Sequence, residues 1–344
     1  MVQSMSYDNC LNNNKPFMPK LSVIVPIYNS AKYIKKCVQS LLNQSISEDV
    51  EYIFVNDCSS DDSIELLFEV LSKYPHASNK ARIIELPENK GAAIARSVGL
   101  SVASGNYIAY CDSDDWIASN MYELLLNKAE ETDADIVYCD FNMVYSDKLI
   151  EYKNLQAMSN RVKFLKTYMI TGWTSLCNMI AKRSLYVNHR LDFPKNFTYC
   201  EDFYLSVKLI YFANKVEKVN NYLYYYNREN ESSLLHNNKN QARVDELLCY
   251  SEMIDFFEAQ GCKDDYIQEL SWKILRCQQD WVLNPDLHQD FYERFPESHK
   301  YIWSCPFINI KMKIMMWMLT HRMRPIVLAF LRFRNIFSNV IVIR

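Results

Sequence analysis

The chain has 344 residues, of which 49% are hydrophobic and 23% are charged. This composition predicts a globular protein with one large domain, or with one domain and an appendage. The net charge of −3 argues against nucleic acid as a partner, because surfaces that bind phosphate backbones carry an excess of basic residues.

The cysteines and the N-terminus indicate a cytoplasmic protein. Eleven cysteines occur without a CxxC pair, and several of them, such as Cys37 and Cys111, fall within apolar segments, which is typical of buried, reduced thiols. Residues 1–20 are polar and predict an N-terminal tail without a signal peptide. No run of about eighteen apolar residues occurs that would predict a membrane span.

Short apolar strands alternate with amphipathic helices through the first 142 residues. The first strand, Leu21–Ile27, is apolar and β-branched, as expected of a buried parallel strand. The remaining predicted strands of this half are Tyr52–Asn56, Arg82–Leu86, Tyr107–Cys111 and Asp135–Phe141. Helical spacing of apolar residues from Ile34 to Leu42 predicts a first helix capped by Asn29 or Ser30. A second helix is predicted through Ile64 and Leu71, after a capping box formed by Ser59 and Asp62. Further helices are predicted over Ala92–Ala103 and Ser119–Glu131. The alternation predicts an α/β fold with a mostly parallel sheet flanked by helices.

The pattern changes after residue 142, where helical and extended segments mix. The segments predicted there are helices at Arg161–Ile170 and Glu201–Phe212, an extended or irregular piece at Trp173–Ile180, a strand at Val219–Tyr226 and a polar loop at Asn227–Asn240. From residue 241 the spacing is helical, which predicts a C-terminal helical extension over residues 241–344. Neither a GxGxxG nor a GxxxxGK[ST] motif occurs, so a dehydrogenase and a P-loop ATPase are disfavoured.

Three carboxylates, Asp112, Asp114 and Asp115, follow the strand Tyr107–Cys111. They place repelling charges at the edge where open α/β sheets bind ligands. Mg²⁺ or Mn²⁺ would suit such a cluster, since hard divalent ions bind through one or two carboxylates together with substrate phosphates. The alternative is an Asp-rich turn that caps the next helix.

The last segment, residues 307–344, is basic and contains no acidic residue. Pro325 is expected to divide it into two helices. Basic residues interleaved with aromatic and aliphatic ones predict an amphipathic tail that contacts an anionic membrane surface. The alternatives are a helix that docks on the domain with its arginines solvated, or an oligomer contact.

Four motifs occur in an order that resembles family 2 glycosyltransferases with the GT-A fold. They are LSVIVPIYN (Leu21–Asn29), YIFVNDCSSDDS (Tyr52–Ser63), ENKGAAIARSVGLSVASGNYIAYCDSDDW (Glu88–Trp116) and YCEDFYL (Tyr199–Leu205). The resemblance covers roughly residues 21–240. It implies a GT-A domain with a nucleotide-binding half at 21–142 and an acceptor half at 143–240.

The resemblance implies a site for a nucleotide sugar. Tyr28 matches an aromatic residue that stacks on the base, and Asp57 matches an acid that accepts a hydrogen bond from a uracil N–H, which would favour UDP. The full set that the resemblance assigns to the nucleotide sugar is Pro26, Tyr28, Asn29, Asp57, Asn89, Gly91, Arg96, Asp112 and Ser113. Asn56 and Cys58 depart from the acid and glycine usual at those positions. The alternatives are a core tyrosine at 28, a helix cap at 57 and a solvated arginine at 96.

The same resemblance implies metal, catalytic and acceptor residues. Asp112 and Asp114 match the metal-binding Asp-x-Asp element, and His236 is a further candidate metal contact whose alternative is a surface histidine without a role. Asp202 matches the catalytic base, which we expect the helix dipole to hold ionised. The acceptor candidates are Glu201 and Trp173. The alternatives are favourable N-terminal helix charges at 201–202 and a core tryptophan at 173.

Together these assignments predict an inverting, metal-dependent transferase. It would move one hexose or N-acetylhexosamine from a UDP-sugar to a hydroxyl of a glycan acceptor, and the basic tail suggests a lipid-linked acceptor used in assembly of a surface polysaccharide. No Gln/Arg-x-x-Arg-Trp motif of processive synthases occurs. A nucleotidyltransferase and a non-catalytic nucleotide-sugar-binding protein remain as alternatives.

Overall fold

The computed structural model describes residues 19–46, 49–230 and 239–341. The chain divides into two compact units, Met1–Asn238 and Lys239–Arg344. In the first unit the strands are β1 (Leu21–Ile27), β2 (Val50–Asn56), β3 (Ala81–Glu85), β4 (Tyr107–Tyr110), β5 (Trp116–Ile117), β6 (Ile136–Val144), β7 (Leu149–Tyr152), β8 (Met179–Lys182) and β9 (Val216–Asn227). Its helices are α1 (Ile34–Leu42), α2 (Ser63–Leu71), α3 (Pro75–Ser78), α4 (Ala92–Val102), α5 (Met121–Thr132), α6 (Arg161–Thr171), α7 (Arg183–His189) and α8 (Glu201–Phe212).

The nine described strands form one sheet in the order β3-β2-β1-β4-β8-β6-β9-β5, with β7 paired to β6. Strands β1 to β4, β6 and β9 run in one direction, whereas β5, β7 and β8 run against it. The predicted α/β fold with a mostly parallel sheet and flanking helices is therefore confirmed.

The centre of the sheet is buried on both faces. Every residue of β1 and β2 is buried, which explains why both strands are apolar runs without a polar alternation. The helix α4 packs closely on β1 because Gly99 has no side chain: a Cβ there would clash with Cγ2 of Ile24. Gly99 therefore allows α4 to lie close against β1.

Several short elements differ from the prediction. Strands β5 and β7 were not predicted, because two or four residues at the edge of a sheet give too short a pattern to detect. The short helices α3 and α7 were not predicted either, since at most two turns show little helical periodicity. The segment 173–180 was predicted to be extended or irregular; its end is part of β8, and in its earlier part the carbonyl of Thr174 accepts a hydrogen bond from Ser206 of α8. Strand β9 is longer than predicted, and its register with β6 shifts on either side of Asp140.

The second unit is helical. Its α-helices are α9 (Lys239–Ala259), α10 (Lys263–Cys277), α11 (Gln279–Leu283), α12 (His288–Glu293), α13 (Ile310–Thr320) and α14 (Arg324–Ile341), with 3₁₀ turns at Pro285–Leu287 and Pro296–Tyr301. The last two helices meet at residues 321–323, and Pro325 is the second residue of α14, so the predicted division there is confirmed. Over the described ranges, no helix combines the length and the apolar character needed to cross a bilayer.

Candidate active site

The candidate site lies where β1, β2 and β4 end. Because parallel strands present their carboxyl ends at one edge, the segments that follow them lie side by side. These segments contain Tyr28, Asp57 and the three carboxylates of Asp112, Asp114 and Asp115. Helix α8, from the other half of the first unit, brings Glu201 and Asp202 to the same place, where both contact Arg96.

Tyr28 is 49% exposed, so it is not the core tyrosine that was the alternative. The next residue, Asn29, accepts a hydrogen bond from the backbone N–H of Ser60 (2.8 Å) and donates its own N–H to the hydroxyl of Ser59 (3.1 Å). These bonds fix the turn and leave the ring face open to a planar ligand. Farther along the turn, the hydroxyls of Ser30 and Ser113 lie 2.6 Å apart and tie it to the segment after β4.

Asp57 is buried and shapes the turn that precedes α4. Its two carboxylate oxygens accept the backbone N–H groups of Lys90 (2.7 Å) and Gly91 (2.8 Å). Gly91 has φ +87°, a conformation that favours glycine. Asp57 therefore does not cap the helix that follows it, and each oxygen retains a lone pair for a further donor. Pro26 is buried within β1, and Asn89 is exposed beside the turn.

Arg96 is the centre of the site. It is only 4% exposed, so the solvated arginine that was the alternative is wrong. Its guanidinium donates to Asp112 (2.6 Å), to Glu201 (2.8 Å) and, at 3.5 Å, to Asp202. One cation therefore joins the Asp-x-Asp element to the pair of acids that begins α8, although these are separated by about ninety residues of sequence.

Asp202 has a raised pKa. Burial is the largest cause and raises the pKa. The positive charge of Arg96 lowers it, and the negative charges of Glu201 and Asp112 raise it. The resulting pKa is about 7. We expected the helix dipole to favour the ionised form of Asp202; desolvation acts in the opposite direction and raises the pKa. A carboxylate with a pKa near neutrality suits a general base.

The other two acids of the Asp-x-Asp segment are held by the end of β9. Asp114 accepts a hydrogen bond from the side-chain amide of Asn230 (2.7 Å), and buried Asp115 accepts from the hydroxyl of Tyr224 and from the backbone N–H of Asn227 (2.7 Å). Asp115 is therefore a structural acceptor. Sequence reasoning did not identify Tyr224 and Asn227 as the partners of Asp115. The sequence shows them only as part of a tyrosine-rich strand and the polar loop that follows it.

Asp112 and Asp114 fit a divalent cation by their chemistry. Burial, followed by the charge of Asp112, raises the pKa of Asp114, so this pair carries negative charge that a cation would relieve. No group of three His, Cys, Asp or Glu side chains in the described ranges is arranged to hold a metal ion. Two carboxylates completed by diphosphate oxygens are nevertheless a usual set for Mg²⁺. His236 lies outside the described residues.

Trp173 is half-buried in an aromatic cluster. Its ring centroid lies 4.2 Å from that of Phe141, 5.9 Å from Tyr152 and 5.5 Å from Tyr226. Its backbone N–H also donates to Asn154 (3.3 Å). These contacts hold the ring in place and leave part of it exposed, which is compatible with the proposed acceptor contact and with a packing role.

The sequence of the chain is similar to those of known proteins. The family profile described as Glycosyl transferase family 2 matches residues 22–200, just over half of the chain. A glycosyltransferase named EpsJ from Bacillus subtilis (strain 168) is 32% identical over 261 residues, which cover 72% of this chain and 74% of EpsJ.

Two further likenesses cover most of the chain. The minor teichoic acid biosynthesis protein GgaB from Bacillus subtilis (strain 168) is 29% identical over 276 residues, 76% of this chain and 30% of GgaB. The crystal structure of TarS 1–349 from S. aureus in complex with UDP-GlcNAc superposes with a TM-score of 0.63 at 21% identity, covering 89% of this chain and 88% of that chain. The chain therefore belongs to glycosyl transferase family 2, and it is a glycosyltransferase with the GT-A fold.

Proposed function

We propose that the chain is an inverting, metal-dependent transferase. It moves a single hexose or N-acetylhexosamine from a UDP-sugar to a hydroxyl of a glycan acceptor and forms a β-linkage. The observation that carries this proposal is the buried Arg96, whose guanidinium contacts both Asp112, on the donor side, and Asp202, the candidate base.

In the proposed reaction Asp202 is the general base. The acceptor oxygen attacks the anomeric carbon from the face opposite the diphosphate, while Asp202 takes the hydroxyl proton. The bond from the anomeric carbon to the diphosphate oxygen breaks, and the diphosphate leaves with the bonding electron pair. Arg96 orients the base by its contacts to Glu201 and Asp202, which begin α8.

A divalent cation, Mn²⁺ or Mg²⁺, is the proposed cofactor. Asp114 and Asp112 would hold it, and when bound it would neutralise the charge that develops on the leaving diphosphate. The support from this chain is the pair of half-buried carboxylates, of which Asp114 has a raised pKa because of burial and the neighbouring charge of Asp112.

The donor is proposed to be a UDP-sugar. The exposed ring of Tyr28 offers a face for the base, and Asp57 and Gly91 shape the turn beside it. TarS, which shares the fold, binds UDP-GlcNAc, and this supports the same nucleotide here. Asn29, Asn89 and Ser113 complete the proposed donor set.

The acceptor is proposed to be a glycan on a lipid carrier, used in assembly of a surface polysaccharide at the inner face of the cell membrane. The likeness to GgaB, a teichoic acid biosynthesis protein, supports a cell-surface polymer. Trp173 and Glu201 are the proposed acceptor contacts, because one offers a partly exposed aromatic ring and the other lies beside the candidate base. The family assignment disfavours a nucleotidyltransferase, and turnover would exclude a non-catalytic binding protein.

The proposal is tested by release of UDP from a panel of UDP-sugars. Each donor is incubated with Mn²⁺, with Mg²⁺ or with EDTA, and the natural chain is compared with Asp114→Ala. The matched control is Asp49→Ala, which removes a half-exposed carboxylate that pairs with Lys20 (3.7 Å) and precedes β2, whereas the candidate site lies at the carboxyl end of that strand. We expect metal-dependent hydrolysis of one donor, lost in Asp114→Ala and kept in Asp49→Ala. Absence of both UDP release and metal-dependent UDP binding would contradict the proposal.

A further inference from the structure

Large apolar side chains are exposed in an unusual concentration on the second unit. Thirteen such side chains are exposed within the described part of the chain, and six of them lie between residues 303 and 330. These six are Trp303, Ile310, Ile314, Trp317, Ile326 and Phe330. Isolated exposed apolar residues are ordinary, whereas a group of them marks an interaction surface.

Helix α13 is apolar on both faces. Its inner face contributes four buried side chains to the core of the unit, which are Met312, Met315, Met316 and Leu319. On its outer face Ile310, Ile314 and Trp317 follow at intervals of four and three residues, so they form one stripe. An apolar stripe that faces outward from a helix is normally covered by a partner, and we therefore expect one on the outer stripe.

Helix α14 repeats this arrangement. Val327 and Leu331 are buried in the same core, whereas Ile326 and Phe330 point outward and are each 49% exposed. The two outward residues are four positions apart and lie on one side of the helix. Both helices thus present apolar residues to the outside in addition to those in the core.

The charged residues within this segment of the sequence are all basic. Residues 310–332 contain five basic residues and no acid, in a chain whose net charge is −3. The five are Lys311, Lys313, Arg322, Arg324 and Arg332. Lys313 also donates to the backbone carbonyl of Trp303 (2.8 Å), which brings that exposed ring to the beginning of α13.

We propose that these eleven residues form a lipid-binding surface that docks on a bilayer containing anionic lipid. The surface, here called the basic apolar face, comprises Trp303, Ile310, Lys311, Lys313, Ile314, Trp317, Arg322, Arg324, Ile326, Phe330 and Arg332. Aromatic and aliphatic side chains enter the boundary between head groups and acyl chains, and basic side chains are attracted to anionic head groups. A symmetric contact between two copies would instead place like charges opposite each other, which is unfavourable.

This inference does not rest on the proposed transferase reaction, because none of the eleven residues belongs to the candidate active site. If both proposals hold, the lipid-binding surface would bring the transferase to the membrane, where a lipid-linked acceptor is located. The two can fail separately: UDP release measures one, and vesicle binding in the absence of any sugar donor measures the other.

The first test is flotation of the full chain with lipid vesicles. Vesicles of phosphatidylcholine alone are compared with vesicles in which about one-third of the lipid is phosphatidylglycerol. We expect the chain to float with the anionic vesicles and to stay at the bottom with the neutral ones. A chain that stays at the bottom with both would overturn the proposal.

The apolar contribution is tested with Ile314→Ser combined with Trp317→Ser. Both side chains are already more than one-third exposed (39% and 37%), so the fold should tolerate the change, and an unchanged urea midpoint verifies this. The control is Phe68→Ser combined with Val187→Ser, which are 49% and 59% exposed in the first unit. We expect vesicle partitioning to fall at least ~10-fold in the first pair and to stay unchanged in the second. An equal fall in both pairs would contradict the assignment of the surface.

The charge contribution is tested with Lys311→Glu combined with Arg332→Glu. The control, Lys148→Glu combined with Lys153→Glu, makes the same change in net charge at exposed positions of the first unit. We expect at least ~10-fold weaker binding to anionic vesicles in the first pair only.

If instead the natural chain is a dimer by light scattering, binds no vesicles, and becomes monomeric with Ile314→Ser and Trp317→Ser, the partner is a second copy and the lipid proposal is wrong.

Discussion

Two groups of carboxylates meet at the same end of the sheet, and they differ in what balances their charge. Asp112, Glu201 and Asp202 share the guanidinium of Arg96. The other group, Asp114 and Asp115, is held by an amide, a hydroxyl and a backbone N–H from the end of β9. The carboxylates of the first group contact a buried cation of the protein, whereas those of the second group accept hydrogen bonds from neutral groups.

This difference indicates where each group acts. Burial followed by neighbouring acids raises the pKa of both Asp114 and Asp115, because no cation of the protein contacts them among the described contacts. A metal ion contributes most where the protein leaves a charge unbalanced, so of the two proposed metal ligands, Asp112 and Asp114, it is Asp114 that would gain most from a bound cation. Asp202, by contrast, is oriented by an internal cation before any substrate binds, which suits a base that must keep its position.

The largest expected effect comes from removing the internal cation. Arg96→Met leaves three partly buried carboxylates without their shared partner, so we expect the free energy of unfolding to fall by about 3–5 kcal/mol. Urea denaturation measures this. The matched control is Arg82→Met, which removes an exposed arginine whose guanidinium donates to the carbonyl of Val102 (3.1 Å). Equal stability of the two variants would show that Arg96 does not balance the first group.

A smaller effect is expected when a donor is removed from the second group. Tyr224→Phe leaves the buried carboxylate of Asp115 short of one hydrogen bond, which should cost about 1–3 kcal/mol of unfolding free energy. The neighbouring Tyr225, whose ring stacks on Trp116 at 5.6 Å, provides the control Tyr225→Phe, expected to change stability by less than about 0.5 kcal/mol. A loss as small in Tyr224→Phe as in the control would mean that Asp115 is not held as described.

The pH dependence of activity should reveal the base with its raised pKa. Asp202 must be deprotonated to accept a proton, and its pKa is about 7, so kcat/KM for the donor should rise with pH through that value and level off above it. Below pH 7 we expect a fall of about tenfold per pH unit. Rates of UDP release at fixed Mn²⁺ measure the profile. A profile that is flat between about pH 5 and 8 would argue against Asp202 as the base.

The sequence predicts the first half of the sheet better than the second, for a physical reason. Strands buried on both faces, such as β1 and β2, must be apolar throughout, and their boundaries were predicted within two residues. Strands β5 and β7 are short and lie at an edge, so their sequences show little periodicity. The register shifts between β6 and β9 near Asp140 depend on tertiary packing, which local sequence does not encode.

The candidate site follows the same division. Asp112 and Asp202 could be named from the sequence, because they match the acidic motifs of the family that the chain resembles. The partners Tyr224 and Asn227 could not, since they reach Asp115 only through the pairing of β9 with the sheet. The pKa of Asp202 was also missed, because it depends on burial among residues distant in the sequence.

The most direct test of the account compares donor binding with turnover in Asp202→Asn. Calorimetry with the active UDP-sugar and Mn²⁺ measures binding, and UDP release measures turnover; Glu201→Gln, which alters the adjacent acid on the same guanidinium, is the control. The account predicts that Asp202→Asn binds the donor within about threefold of the natural chain and loses turnover at least ~100-fold, with a smaller loss in Glu201→Gln. Full turnover in Asp202→Asn would contradict it.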